Sequence, residues 1–208
     1  MSSKDYFGKV AERWDEMRQE FFSEEVRNKA YEVAEVEVGK VAADIGAGTG
    51  FITEGLVMKG VKVIAVDQSE EMLSMMRNKF IELDNIEFRS GDAECLPLED
   101  YEVDYVFANM FLHHVEDPSK AINEMVRILK PGGKLVITDL DIHEFEFLKT
   151  EQFDKWMGFN REDVKKWYLS AGLKDVIVYC VGTECCSGSS CDCKEAKISI
   201  FLAMGKKV

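Results

Sequence analysis

The apolar positions of this chain follow two different spacings. Phe7, Val10, Trp14, Met17 and Phe21 recur at steps of three and four with charges between them, the signature of an amphipathic helix. Ser23 is placed to cap a second helix running to about Val36, with Glu24 and Glu25 favourable in its first turn. Residues 1–38 thus form a helical preface, serving either as a lid and substrate wall or as simple packing across a sheet edge. Beyond it, β-type runs alternate with helical patterns. Val41 to Ala43 is a short apolar run, and Phe51 to Lys59 is helical. Val61 to Val66 is almost continuously apolar, as expected of a parallel strand covered on both faces. Ser69, Glu70 and Glu71 open a helix carrying Met72, Leu73, Met75 and Met76. Asn85 to Arg89 and Val103 to Ala108 read as the third and fourth strands. Asp117-Pro118 starts a helix with proline at its first position. Ile122, Met125, Val126 and Leu129 form that helix's buried face, and Pro131-Gly132-Gly133 stops it.

Lys134 to Thr138 is a fifth strand. A helix capped by Asn160 carries Val164, Trp167 and Leu169 and ends at Gly172, and Asp175 to Val181 and Lys197 to Ala203 are the last strands. Strands alternating with helices of this length predict an α/β fold with a doubly wound, mostly parallel, seven-stranded sheet. No helix separates the final two strands, so they should pair as an antiparallel hairpin.

Composition narrows the function. A chain of 208 residues fits a single domain, 1–208, with room for a sizeable core. Its net charge of −13 argues against a nucleic-acid partner and against docking on anionic lipid, which leaves a small-molecule substrate. No run resembles a signal peptide or a membrane span, so the expected location is cytoplasmic. The six cysteines are then expected as thiols or metal ligands. The composition does not reveal the oligomeric state.

The candidate chemistry begins at Asp44-Ile45-Gly46-Ala47-Gly48-Thr49-Gly50, where a strand turns into a helix. Glycines there let the backbone bend sharply and approach a ligand. The spacing G-x-G-x-G differs from the G-x-G-x-x-G of dinucleotide sites, which disfavours a nicotinamide oxidoreductase. Asp44 would repel a pyrophosphate and would suit a cationic ligand carrying an amino group. Ligands in open α/β sheets sit outside the carboxyl ends of the strands. Asp44, Asp67, Asp92 and Asn109 all occupy such ends. Asp67 is suited to accept both ribose hydroxyls of an adenosine, and Asp92 with the Ala93 backbone is suited to its adenine.

The strings Asp44 to Gly50, Ala65-Val66-Asp67-Gln68-Ser69, Gly91-Asp92-Ala93, Leu112-His113-His114-Val115 and Leu129-Lys130-Pro131-Gly132-Gly133 resemble the class I S-adenosylmethionine (SAM)-dependent methyltransferases. Within that class they are similar to the small-molecule enzymes of quinone-biosynthesis type. The resemblance covers roughly Val41 to Leu140, with a weaker match over Leu140 to Leu173. It implies a Rossmann-like seven-stranded sheet whose last strand is antiparallel. It also implies a SAM site made by Asp44, Gly46, Ala47, Gly48, Asp67, Gln68, Asp92, Ala93 and Asn109. The Asn/Asp-Pro-Pro-Tyr motif of amine-directed members is absent, and Asn109-Met110-Phe111-Leu112 stands in its place.

A methyl on a sulfonium is already activated, so alignment and a dry pocket carry most of the reaction. A hydroxyl or protonated amine acceptor also needs a base. His113 and His143, with His114 beside them, are the candidates. The family pattern does not account for Cys185-Cys186-Ser187-Gly188-Ser189-Ser190-Cys191-Asp192-Cys193, within a cysteine-dense segment at 183–195. Cys185, Cys186, Cys191 and Cys193 form a soft ligand set for a metal ion or a thiophilic metalloid such as trivalent arsenic. Arsenite methyltransferases distribute their cysteines differently. Cys95 and Cys180 read as buried small hydrophobes. The reading is a SAM-dependent methyltransferase acting on a small molecule, with a thiol or metalloid acceptor among the options. The alternative is a SAM-responsive metal-binding or sensor protein without turnover.

Overall fold

A computed structural model describes residues 8, 10, 11, 23–188 and 195–208. Cys191 and Cys193 lie outside the described residues, as does most of the helix expected over Phe7 to Phe21, of which positions 8 and 10 are α-helical. The described elements run in the order α1 (Glu24–Ala34), β1 (Val41–Ile45), α2 (Phe51–Met58), β2 (Lys62–Asp67), α3 (Glu70–Lys79), β3 (Ile86–Ser90) and β4 (Val103–Asn109). After a 3-10 turn at Leu112–His114 come α4 (Pro118–Ile128), β5 (Leu129–Leu140), α5 (Phe147–Glu151), α6 (Arg161–Ser170), β6 (Lys174–Gly188) and β7 (Glu195–Lys206). The strands form one seven-stranded sheet in the order β3-β2-β1-β4-β5-β7-β6. Strands β1 to β5 pair in parallel, while β7 runs antiparallel to both β5 and β6. The expected fold class and terminal hairpin are therefore present.

Successive strand residues point to opposite faces, and each face is covered. Ala43, Ile64, Val106 and Ile137 pack under α4 and α6, through Ile122, Met125, Val164 and Tyr168. Ala42, Val63, Phe107 and Val136 pack under α1 and α2, through Val26, Tyr31, Ile52 and Leu56. Helix α1 is accordingly a sheet-covering helix: the buried Tyr31 hydroxyl donates to the Ile52 carbonyl at 2.5 Å, and Arg27 Nη1 donates to the Phe51 carbonyl at 3.0 Å. Asp117 and Asn160 cap α4 and α6 as expected, accepting from the amides of Lys120 and Glu162. Ser23 precedes α1 without a side-chain capping bond.

Three expectations need correction. The Pro131-Gly132-Gly133 segment does not separate α4 from a later strand, because β5 begins at Leu129, which pairs with Val103. The Gly132 amide donates to the Lys207 carbonyl at 2.8 Å and so ties this stretch to the C-terminal segment. Of the cysteine-dense segment, residues 183–188 and 195 continue the hairpin rather than form a loop, with Cys185 paired to Ile198 and Gly188 to Glu195, and residues 189–194 lie outside the described residues. Cys95 and Cys180 are exposed, not buried. Cys180 lies on β6, which among the described residues pairs on one side alone, and Cys95 lies in the turn that follows β3.

Candidate functional site

The strand order reverses between β1 and β4, so their neighbouring connections diverge and leave a crevice at the carboxyl edge. A cavity opens there against Gly46, Asp67, Gln68, Asp92, Ala93 and Phe111, with His114 and Lys155 also in its wall. Gly46 has φ +68, and a Cβ on it would come within 2.1 Å of the Phe111 ring. The Phe111 ring reaches that position because Met110, at φ +50, turns the chain sharply after β4. A non-glycine residue in the left-handed region costs about 1–2 kcal/mol, and such strain concentrates at functional sites.

The acidic strand ends serve different roles. Asp67 accepts the Gly48 amide on Oδ2 and the Ser69 amide on Oδ1, both at 2.8 Å. It thereby fixes the glycine turn and the start of α3, and a carboxylate with about four lone-pair sites can accept further donors. Asp92 is exposed and accepts the Glu94 amide at 2.8 Å. Asp44 is buried and accepts the amide and hydroxyl of Thr53 at 3.0 and 2.7 Å, capping α2. Burial raises its pKa to about 7 against the opposing pull of those Thr53 bonds. Asn109 accepts the Thr138 hydroxyl at 2.8 Å, between β4 and β5. Asp44 and Asn109 are thus held by the fold, while Gly46, Asp67, Gln68, Asp92 and Ala93 converge on the cavity.

The histidines occupy two places. His113 and His114 lie on the 3-10 turn after β4, their rings 4.1 Å apart. His113 is buried, and its Nδ1 lies 2.6 Å from Asp139 Oδ1. Burial alone would lower the His113 pKa, but Asp139 and Asp154 carry it up to about 9. His114 moves the other way, well below the usual histidine range, because it is buried beside His113. His143 is half-buried beside an open depression lined by Glu144, Phe145, Lys197 and Ser199, away from the cavity wall. Its Nδ1 accepts the Phe145 amide at 3.2 Å, and burial lowers its pKa. Neither of the two expected catalytic histidines lines the cavity: His113 sits behind it, His143 lies beside the other depression, and the third candidate, His114, is the one in its wall.

Asp139 and Asp154 are the members of this cluster that sequence reasoning missed. Asp139 is fully buried at the end of β5 and also accepts the amides of Phe111, Leu112 and Leu140. Asp154 comes from the connection after α5, with Phe153 in the left-handed region at φ +62. That connection is held against the 3-10 turn. The amides of Lys155 and Trp156 donate to the His113 carbonyl at 3.0 and 3.1 Å, and Trp156 Nε1 donates to the Val115 carbonyl at 3.0 Å. Gly158, at φ +67, closes the connection so tightly that a Cβ would lie 2.1 Å from the Asp141 carbonyl oxygen. Cys185 is buried in the apolar cluster with Val181, Ala196 and Ile198, and Cys186 continues β6 beside it.

Residues 43–137 match the family described as Methyltransferase domain. A demethylmenaquinone methyltransferase of Clavibacter sepedonicus is 39% identical over 101 residues, covering 49% of this chain and 41% of its own length. A chloroplastic 2-methyl-6-phytyl-1,4-hydroquinone methyltransferase of Oryza sativa is 32% identical over 167 residues, covering 78% of this chain and 50% of its own. The chain thus spans half or less of the length of these two relatives. The fold is shared with a candidate methyltransferase from the complex with the Haloferax volcanii Trm112 methyltransferase activator. That match has a TM-score of 0.79 at 22% identity and covers 96% of both chains.

Proposed function

We propose, from the match of residues 43–137 to the methyltransferase domain family and from the class I methyltransferase fold, that the protein binds SAM and transfers its methyl group to a small-molecule acceptor. The observation that carries the reading is the convergence of Gly46, Asp67, Asp92 and Ala93 on one cavity at the switch point of the sheet. The residues fit the cofactor. Gly46 has no side chain to obstruct a close approach, Asp67 is an acceptor for ribose hydroxyls, and Asp92 with Ala93 is suited to an adenine edge. When bound, SAM supplies a methyl group made electrophilic by its sulfonium. The chain's own part is to bind and orient. Asp67 keeps the glycine turn rigid through Gly48 while it receives the ribose. Phe111 packs an apolar ring beside Gly46 and excludes water from the cavity floor. His114, with its depressed pKa, is neutral near pH 7 and stands in the wall as the candidate proton acceptor. Asp44 has a pKa near 7, and a cation bound close by would favour its charged form.

The relatives are named for quinone and hydroquinone acceptors, which favours a quinone-like small molecule. The net charge of −13 disfavours a nucleic-acid acceptor. A thiol or metalloid acceptor rests on Cys186, Cys191 and Cys193, since Cys185 is buried in an apolar cluster. The test is transfer of labelled methyl from SAM to a hydroquinone, a small thiol and arsenite, read as S-adenosylhomocysteine formed. Because the Haloferax neighbour is bound to an activator, the screen includes protein isolated with whatever copurifies from its own cells. Release of S-adenosylhomocysteine with one acceptor class is expected. Folded protein giving none with any acceptor would defeat the reading as an enzyme.

A further inference from the structure

We propose that His113, His114 and Asp154 form a binding site for one divalent transition-metal cation of the zinc type, set directly behind the cavity wall. Asp154 Oδ1 lies 3.8 Å from His113 Nε2 and 3.7 Å from His114 Nδ1. The three donor atoms all fall within 4.8 Å of one another. These separations are too long for hydrogen bonds. They are close to what a shared cation requires: bonds of about 2.0–2.1 Å in tetrahedral geometry place neighbouring ligand atoms about 3.3 Å apart. The two separations from Asp154 close with a contraction of about half an ångström, and the two histidine nitrogens, within 4.8 Å of each other, must draw together by up to about 1.5 Å.

The second observation is Asp154 itself. Its side chain is 1% exposed, and among the described residues neither carboxylate oxygen has a hydrogen-bond partner. An ionised carboxylate buried in that way is costly unless paired or bound to a metal. Both histidines turn ring nitrogens toward it. The third observation is Asp139, which holds His113 Nδ1 at 2.6 Å and is itself fixed by three backbone amides. A carboxylate on the far nitrogen of a histidine fixes the ring orientation and directs the other nitrogen toward a metal. Two imidazoles and one carboxylate suit zinc and its neighbours in the first transition series. They do not suit copper(I), which prefers sulfur, or calcium and magnesium, which take oxygen. Three protein ligands leave a fourth position for water. The site is separate from the cysteine-dense segment but shares His114 with the proposed methyl transfer, so it is tested by metal binding and not by turnover.

The probe is cobalt(II), titrated into the full chain carrying Cys186→Ser, Cys191→Ser and Cys193→Ser, so that those thiolates do not compete. One equivalent should bind with the visible bands of nitrogen and oxygen ligation and without a thiolate charge-transfer band. Zinc should displace it and raise the melting temperature of the protein. Asp154→Asn should weaken cobalt binding on the order of 100-fold or more, at least the effect of losing an outer-shell partner. His114→Gln, checked for folding by near-ultraviolet circular dichroism, should do the same and should abolish the zinc-dependent rise in melting temperature. A folded parent that binds neither metal, an Asp154→Asn protein with the parent's affinity, or a spectrum with thiolate character would each overturn the proposal.

Discussion

Gly46→Ala probes the cradle at the point where backbone and side chain are closest. At φ +68 any Cβ costs about 1–2 kcal/mol. The new methyl would also lie 2.1, 2.4 and 2.8 Å from three atoms of the Phe111 ring. Carbon atoms normally rest about 3.5–4.0 Å apart, so the ring must move by more than about 1 Å. Overpacking of this kind costs about 1–3 kcal/mol. The single substitution should therefore destabilise the protein by about 2–5 kcal/mol, summing the two effects. In a Phe111→Ala background the clash is gone and the backbone strain alone remains, so the same change should cost about 1–2 kcal/mol. Urea unfolding of the four proteins, followed by circular dichroism, measures the coupling. An interaction of about 1–3 kcal/mol is expected, with the double variant more stable than additivity requires. If Gly46→Ala costs the same in both backgrounds to within about 0.5 kcal/mol, the Phe111 ring does not cover Gly46 and the floor of the cavity is misassigned.

The remaining expectations concern pH and thiol access. Burial raises the Asp44 pKa from 3.8 to about 7, so the folded state holds that proton more tightly than the unfolded chain. The associated stability is complete below pH 4 and is lost as pH rises through about 7, amounting to about 2.5 kcal/mol between pH 5 and pH 8. Asp44→Asn should flatten this fall, and denaturation curves at the two pH values giving equal slopes for variant and wild type would reject the buried, protonated Asp44. Alkylation of the native protein followed by peptide mapping should label Cys95 and Cys180, which are exposed, ahead of Cys185, which is 5% exposed. Equally fast modification of Cys185 would remove it from the apolar cluster.

Most of the fold was legible because its elements bury a face locally. Val61 to Val66 needed no context to read as a covered strand, and the caps at Asp117 and Asn160 are short-range chemistry. The cavity was legible for the same reason: the glycine turn, Asp67 and Asp92 each stand at the end of a recognisable strand. Asp44 was harder. Its position at a strand end is the same as that of Asp67, but its side chain turns inward to Thr53, a direction set by packing rather than spacing. Asp139 and Asp154 were not legible as partners of His113. Their contacts span 26 and 41 residues and depend on how the connection from α5 to α6 folds back over the 3-10 turn. Trp156 and Gly158 govern that fold-back, and their hydrophobic pattern carries no helical or strand period. The extent of the terminal hairpin was hidden likewise, because Gly182 and Gly188 are residues depleted in strands, and Cys185 to Gly188 pair through the register inherited from β5 and β7.

The central claim is that SAM binds in the cavity where Asp67 and Asp92 converge. Calorimetric titration of SAM into the wild-type protein and into Asp67→Ala tests it most directly. The wild type should bind one equivalent. The variant should lose about 1.5–3 kcal/mol, the range for hydrogen bonds to a charged group, which is roughly 10- to 150-fold in affinity. Failure of the folded wild type to bind SAM, or unchanged affinity in Asp67→Ala, would contradict the account.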